Sequence, residues 1–167
     1  MKRLLVWVMM LCLLPAIALT EWREADLRNE ERTDREECEW LLNFLLPFAD
    51  EQLEKNGAFL PFGAVLKSSG DAVATAAASA EAANGMDILI HAHREMASNG
   101  EIRASGIAYI AEITLEDGRK TDAVVVSLEH SSGYSVAVLQ PYSFDALNRF
   151  IPEDLLAHEG MHRIFVR

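Results

Sequence analysis

The chain has 167 residues, of which half are apolar, 26 are acidic and 15 are basic, and its formal charge is −11. This composition excludes a disordered or collagen-like chain, and the length favours a single domain. The acidity argues against a nucleic-acid-binding protein, because binding phosphates requires clustered lysine and arginine side chains. It is compatible with an extracytoplasmic protein, or with a protein whose partner has a basic surface.

Residues 1–18 have the layout of a secretory signal peptide. Lys2 and Arg3 precede an uncharged apolar run, and Pro15 separates that run from the small-residue pattern at 16–18. We therefore predict cleavage after Ala18 and an exported protein, periplasmic or secreted, with no stable membrane span after cleavage. The alternative is an uncleaved anchor, but the charge-free stretch barely reaches the length of about 17 residues that a span requires.

Cleavage would leave 13 basic and 26 acidic residues, a mature charge of −13. It would also leave Cys38 as the one cysteine of the mature chain. An intramolecular disulfide is then impossible, and a thiol of this kind is usually buried or pairs between chains. Because Cys38 falls among apolar helical positions, we predict that it is buried.

The first part of the mature chain is predicted to be helical. Residues 19–37 form a charged extension, and a capping-box pattern at Thr33–Glu36 precedes an apolar stripe with three- and four-residue spacing. This stripe includes Cys38, Phe48 and Leu53. Pro47 predicts a kink or a second helix start, and the pair Asn56-Gly57 predicts the helix end.

Residues 38–167 are predicted to form a single α+β domain. After a hairpin over 59–76, a second amphipathic helix is expected at 86–98, followed by three consecutive strands between 102 and 139. The centres of these strands are apolar on both faces, so both faces need cover. We predict a three-layer domain, with an antiparallel sheet of about five strands and helices on both faces. Short helices are expected near 145–150 and after Pro152.

Five short motifs occur in a fixed order along the chain: FLPFGAVL at 59–66, GEIRA at 100–104, DAV at 122–124, LEH at 128–130 and PY at 141–142. As an ordered set they resemble a family of small uncharacterised bacterial proteins, over residues 40–145. No activity or cofactor is established for that family, so the resemblance implies a compact α/β domain and no mechanism. Many of its members look cytoplasmic, whereas this chain has a predicted export signal.

The motif His158-Glu159-Gly160-Met161-His162 matches H-E-x-x-H. On a helix the two histidines would bind one zinc ion, and Glu159 would polarise the bound water. Gly160 weakens such a helix by about 1 kcal/mol, and a third ligand would have to come from upstream, for example from Glu129 or His130. We favour an interpretation without a bound metal, in which His158 and His162 lie near the C-terminal, negative end of a helix. A zinc-dependent hydrolase is the alternative.

Three further residues are candidate binding residues: Glu129, His130 and Tyr142. Glu129 and His130 end a strand beside the turn 131–133, and binding sites are commonly built at such positions. A Ser/His/Asp triad lacks support, because the chain has no G-x-S-x-G motif. His93 lies on the apolar side of its helix and is predicted to be a hydrogen-bonded core histidine.

No catalytic residue and no cofactor are therefore predicted in the favoured reading. We expect a non-enzymatic exported protein that binds another protein, with a basic surface on the partner. An inhibitory or immunity-like role would fit the acidity.

Overall fold

A computed structural model describes residues 33–76 and 84–166. The predicted signal peptide (1–18) and residues 19–32 of the predicted extension lie outside the described residues. Two α-helices and one antiparallel sheet are present in the described ranges, which confirms the α+β class. The helices are α1 (Asp34–Asn56) and α2 (Gly85–Ser98). The strands are β1 (Phe62–Lys67), β2 (Ala72–Ala76), β3 (Ile102–Thr114), β4 (Lys120–His130), β5 (Ser135–Phe144), β6 (Phe150–Pro152) and β7 (Leu156–Glu159).

The strand order in the sheet is β2-β1-β3-β4-β5-β6, and β7 also pairs with β5. The long hairpin β3–β4 forms the centre, with Ala104 opposite His130 at one end and Thr114 opposite Lys120 at the other. β6 pairs with one half of β5 and β7 with the other half, so both follow the same edge. Neither α1 nor α2 is long and apolar enough to cross a membrane.

Helix α1 begins at the predicted capping box. The Thr33 hydroxyl accepts a hydrogen bond from the backbone N–H of Glu36, and the Glu36 carboxylate accepts one from the N–H of Thr33. The helix continues through Pro47, so the expected second helix start is absent from this part of the described chain. Pro47 is exposed, so water can bind the carbonyl that the missing N–H leaves without a helical partner. Gly57, with φ of 70°, ends the helix in the left-handed conformation.

One face of α1 is buried against the sheet. Leu41, Leu45 and Leu53 pack in a core cluster with even-numbered residues of the central strands, including Ala104 and Ala108. The contact is close at Gly106, where a Cβ would lie 2.6 Å from Cδ1 of Leu45. A larger residue at position 106 would therefore require the side chains of Leu45 and Leu128 to move.

Helix α2 packs in a second core cluster. Leu89 is buried there together with Val65, Ile107 and Ile164. Val65 and Ile107 are odd-numbered, whereas the β1 and β3 residues of the first cluster are even-numbered. Ile102 also belongs to the second cluster, and it lies at the end of β3 where the pairing with β1 shifts register. Because consecutive strand residues point to opposite faces, the two helices contact different sets of side chains from the same strands.

The prediction of helices near 145–150 and after Pro152 is wrong. Residues 145–149 form a turn in which Asn148 has φ of 58°, and β6 and β7 follow. The outer edge of β5 offers backbone donors and acceptors to this segment, and such pairing overrides local preference. Pro152 fits there because proline is tolerated on an edge strand. With these two strands, the described residues contain seven strands rather than about five.

Candidate functional site

Glu129 holds a distant part of the chain. Glu129 is 2% exposed. Its carboxylate accepts hydrogen bonds from the three consecutive backbone N–H groups of residues 163–165, at distances of 2.9, 3.0 and 3.3 Å. The guanidinium of Arg94 on α2 donates to the carbonyl oxygen of Arg163 at 2.6 and 3.0 Å. The carboxylate of Glu129 is therefore occupied by the protein itself and anchors residues 163–165.

His130 points toward α1, where it meets a buried carboxylate. Its Nε2 lies 3.0 Å from Oε2 of Glu37. Arg103 on β3 donates to both oxygens of Glu37, at 2.6 and 3.0 Å. Because the side chain of Glu37 is 5% exposed, its charge is stabilised by these two partners and not by bulk water. The three residues join α1, β3 and β4.

The other ring nitrogen of His130 contacts Ser132 in the following turn. Its Nδ1 lies 2.9 Å from the Ser132 hydroxyl oxygen and 3.0 Å from the Ser132 backbone nitrogen. The hydroxyl is also 2.7 Å from Oδ2 of Asp34. With the proton on Nε2, His130 donates to Glu37, its Nδ1 accepts the Ser132 N–H, and the Ser132 hydroxyl donates to Asp34. In this arrangement the contact between Nδ1 and the hydroxyl oxygen carries no hydrogen.

This order of Ser132, His130 and Glu37 resembles a nucleophile–base–acid triad, but the surrounding atoms do not suit nucleophilic catalysis. An ionised carboxylate can only accept, so the 2.7 Å contact with Oδ2 of Asp34 uses the hydroxyl proton of Ser132. This hydrogen bond is the largest of the causes that lower the pKa of Asp34. The N–H groups of residues 131, 133 and 134 also have partners, so none is left to bind an oxyanion. The cluster therefore fits an anchor between α1 and the β4–β5 turn.

Tyr142 lies in an aromatic cluster between β5 and β6. Its ring is 5.8 Å from that of Phe144 and 5.5 Å from that of Phe150. Burial, and to a lesser extent the charge of Asp122, raise the pKa of the phenol. The structure thus places Glu129, His130 and Tyr142 in three separate surroundings, and each side chain is largely occupied by contacts within the protein.

The H-E-x-x-H motif does not form a helix. His158 and Glu159 lie on the edge strand β7, opposite Ala137 and Val136, and His162 lies in the irregular segment that follows. Adjacent strand residues point to opposite faces, so the helical geometry of the motif is absent. Within residues 33–76 and 84–166, no three His, Cys, Asp or Glu side chains are grouped to hold a metal ion. The zinc alternative stays a prediction for metal analysis to test.

Two other predictions are confirmed. His93 is fully buried, and its ring nitrogens lie 2.8 Å from the hydroxyls of Thr75 and Ser105. Desolvation lowers its pKa to about 4, so it is a neutral core histidine. Cys38 is buried, and desolvation raises the pKa of its thiol to about 12. A thiol of this kind is unreactive.

The exposed side of α1 carries a feature that sequence spacing missed. Trp40, Phe44 and Phe48, called here the aromatic stripe, are 37%, 50% and 44% exposed. Their spacing of four residues places them along one side of the helix. Phe48 was assigned to the buried stripe, and the structure instead leaves it at the rim, where its ring is 4.8 Å from that of Phe62.

Acidic residues surround the aromatic stripe. Four glutamates lie at exposed positions of α1: Glu36, Glu39, Glu51 and Glu54. The basic residues of the helix are already paired within it, Arg35 with Glu39 and Lys55 with Glu51. Because two of the four glutamates are paired, Glu36 and Glu54 leave the exposed side of α1 with a net negative charge beside the aromatic stripe.

Comparison with protein-family models, with curated proteins and with solved structures finds no match. The resemblance to a small bacterial family therefore stays a prediction, and the proposals below depend on the geometry of this chain.

Proposed function

We propose that this chain is an exported, non-enzymatic protein that works by binding another protein through the aromatic stripe of α1. The exposure of Trp40, Phe44 and Phe48 is the observation that carries the proposal. A helix at the surface of a domain normally presents polar residues to water, and large aromatic side chains are enriched at protein interfaces. Export is supported by the signal-like layout of residues 1–18.

The partner that we propose has a basic surface around an apolar contact. Four exposed glutamates border the stripe, and the mature charge of −13 would attract a positive partner over a distance. An inhibitory or immunity-like protein, which blocks a basic partner by covering it, would fit this arrangement. The described residues thereby act through their surface, and the ionisable groups inside maintain the fold.

We also propose that the domain has three layers, with α1 and α2 on opposite sides of the sheet. The support is the alternation along β3, where Ala104 and Ala108 belong to the α1 cluster and Ile107 to the α2 cluster. In such a domain the sheet is shielded on both sides, and the partner surface is the outer side of α1.

Site-specific photo-crosslinking tests the proposed function. A photoreactive amino acid at position 44 should capture a defined protein in cells that express the full chain, whereas one at Leu147, which is 75% exposed on a turn, should not. The captured protein, once identified and purified, is then titrated calorimetrically against the protein and its variants.

We expect Phe44→Ser to weaken binding by at least tenfold, since central aromatic residues commonly contribute most of the binding energy. The matched control Leu147→Ser should bind like the unmodified protein. Capture of the same proteins at both positions, or unchanged affinity of the Phe44→Ser variant, would show that the stripe is not the binding surface.

A further inference from the structure

Among the residues that the structure describes, none covers one part of the sheet beside α1. The side chains of β2 that share a face with α1 are those opposite Phe62, Ala64 and Leu66 of β1. They are Ala76, Ala74 and Ala72, and all three are exposed. Ala64 and Leu66 themselves are buried in the α1 cluster. The cover that α1 provides therefore ends between β1 and β2.

The uncovered face of β2 is continuous with the aromatic stripe. The rings of Phe48 and Phe62 meet edge to face at 4.8 Å, and Phe62 lies directly opposite Ala76. The aromatic side chains thus form a wall, and the alanines form a floor at the foot of that wall. We call this surface the ledge; it consists of Phe44, Phe48, Phe62, Ala72, Ala74 and Ala76.

The dimensions of the ledge suit a helix. Five strand residues extend over about 17 Å, which is the length of about eleven helical residues or three turns. Because alanine side chains end at Cβ, a helix could approach the floor closely while its apolar side contacts the phenylalanine rings. Such a helix would extend the helical layer that α1 begins.

The charges next to the ledge determine the chemistry of its occupant. The four exposed glutamates of α1 outnumber the two basic residues of that helix, and Asp71, just before β2, lies across the β1–β2 turn from Lys67. The basic residues of α1 are paired with glutamates of the same helix. We infer that the ledge binds an amphipathic helix of the partner protein, with its apolar side on the ledge and with lysine or arginine residues along its polar side. This inference rests on the proposed function and specifies the partner's binding element.

A synthetic helix tests the inference directly. The probe is a 14-residue peptide of leucine and lysine, with leucines at helical spacing. One control peptide has the same pattern with glutamate in place of lysine, and a second has the composition of the probe in scrambled order. Trp40 fluorescence reports binding in the mature chain carrying Trp22→Phe, which leaves Trp40 as its one tryptophan.

We expect saturable binding of the leucine–lysine peptide with a blue shift of the Trp40 emission, and at least tenfold weaker binding of both controls. Ala74→Gln fills the floor and should weaken binding at least tenfold. The matched variant Ala157→Gln, at an exposed alanine of β7, should leave it unchanged.

Three results would overturn the inference. The first is equal binding of the scrambled peptide, which would indicate attraction by charge alone. The second is a dimer in light scattering that Ala74→Gln dissociates, which would make a second copy the occupant. The third is a natural partner that Phe44→Ser releases and Ala74→Gln does not; the proposed function would then stand while the helix-binding ledge would fail.

Discussion

The carboxylate of Glu37 lies 3.0 Å from the imidazole of His130, although 93 positions separate the two residues along the chain. Arg103 binds the same carboxylate from β3. The contact fixes the first turn of α1 against the end of β4. This anchor adds to the packing of Leu41, Leu45 and Leu53, which holds the rest of the helix on the sheet.

A substitution in the anchor should lower the free energy of unfolding more when it leaves more of the remaining residues without a partner. We expect His130→Ala to reduce the free energy of unfolding by about 1–2 kcal/mol, because Glu37 keeps Arg103 as a partner. Glu37→Ala should cost more, about 2–4 kcal/mol, because it leaves both Arg103 and His130 without that carboxylate. Urea unfolding at pH 7 measures both. His91→Ala, at an exposed position of α2, is the control and should change stability by less than about 0.5 kcal/mol.

His93 should make the free energy of unfolding decrease as the pH falls below about 6.5. Its pKa in the folded protein is lowered to about 4 by desolvation, below the ordinary value of about 6.5. Unfolding therefore takes up a proton at intermediate pH, and the contribution of neutral His93 is complete above pH 6.5 and declines as the pH falls toward 4. The loss is about 3 kcal/mol.

The measurement is urea unfolding of the protein and of the His93→Gln variant between pH 4 and pH 7. The variant should be less stable at pH 7 and should have a flatter pH profile in this window. Parallel profiles for the two proteins would contradict the assignment to His93.

Asp50 should reduce stability at neutral pH. Its Oδ1 and the Oε1 of its neighbour Gln140 are buried side-chain atoms without a hydrogen-bond partner, and burial raises the pKa of the Asp50 carboxyl. A raised pKa means that the folded state favours the protonated form, so the favourable contribution is complete below about pH 3.8 and is lost as the pH rises through the folded-state pKa.

Asp50→Asn should therefore increase the free energy of unfolding at pH 7, by about 0.5–1 kcal/mol, because the amide adds a donor for these oxygens. Thermal unfolding at pH 7 and pH 3.5 tests it, and the advantage should shrink at the lower pH. Asn43→Asp, which adds a carboxylate at an exposed position of the same helix, is a control for charge alone. A destabilised Asp50→Asn variant would show that the carboxylate makes a favourable contact.

Treatment with a chelator should leave the melting temperature of the protein unchanged. The expected outcome is less than stoichiometric zinc in the purified mature protein and the same melting temperature with and without chelator. Stoichiometric zinc that is lost in the His162→Ala variant would contradict this outcome and would restore the hydrolase alternative. Because β7 is a strand, zinc bound there would require ligands that differ from those of a helical H-E-x-x-H site.

The sequence predicted those parts of the fold that depend on local patterns. Helix α1 has a capping box and a left-handed glycine at its end, and the hairpin β3–β4 turns at Asp117-Gly118, so neighbouring residues determine both elements. The segment from 150 to 159 was mispredicted because its conformation depends on the edge of β5, which local periodicity cannot reveal. His158 and His162 were interpreted as helical for the same reason.

The residues of the anchor were only partly predictable. His130 was singled out for its position at a strand end, but Glu37 was not. The sequence nevertheless held a signal for Glu37. It precedes Cys38 and lies on the same side of α1 as Leu41, which is the buried side. A carboxylate at a buried position requires a partner. Which residue supplied that partner could not be inferred, because Arg103 and His130 reach Glu37 only through the packing of α1 on the sheet.

The bonds from Glu129 to residues 163–165 have a consequence for the order of folding. While the chain is being synthesised, β4 leaves the ribosome more than thirty residues before the backbone groups that bind this carboxylate. Until they emerge, the strand carries a charge that must remain hydrated, and Ile164 is missing from beneath α2. The nascent chain therefore stays incompletely folded until residues 163–165 have been translated, which extends the period in which chaperones can engage it.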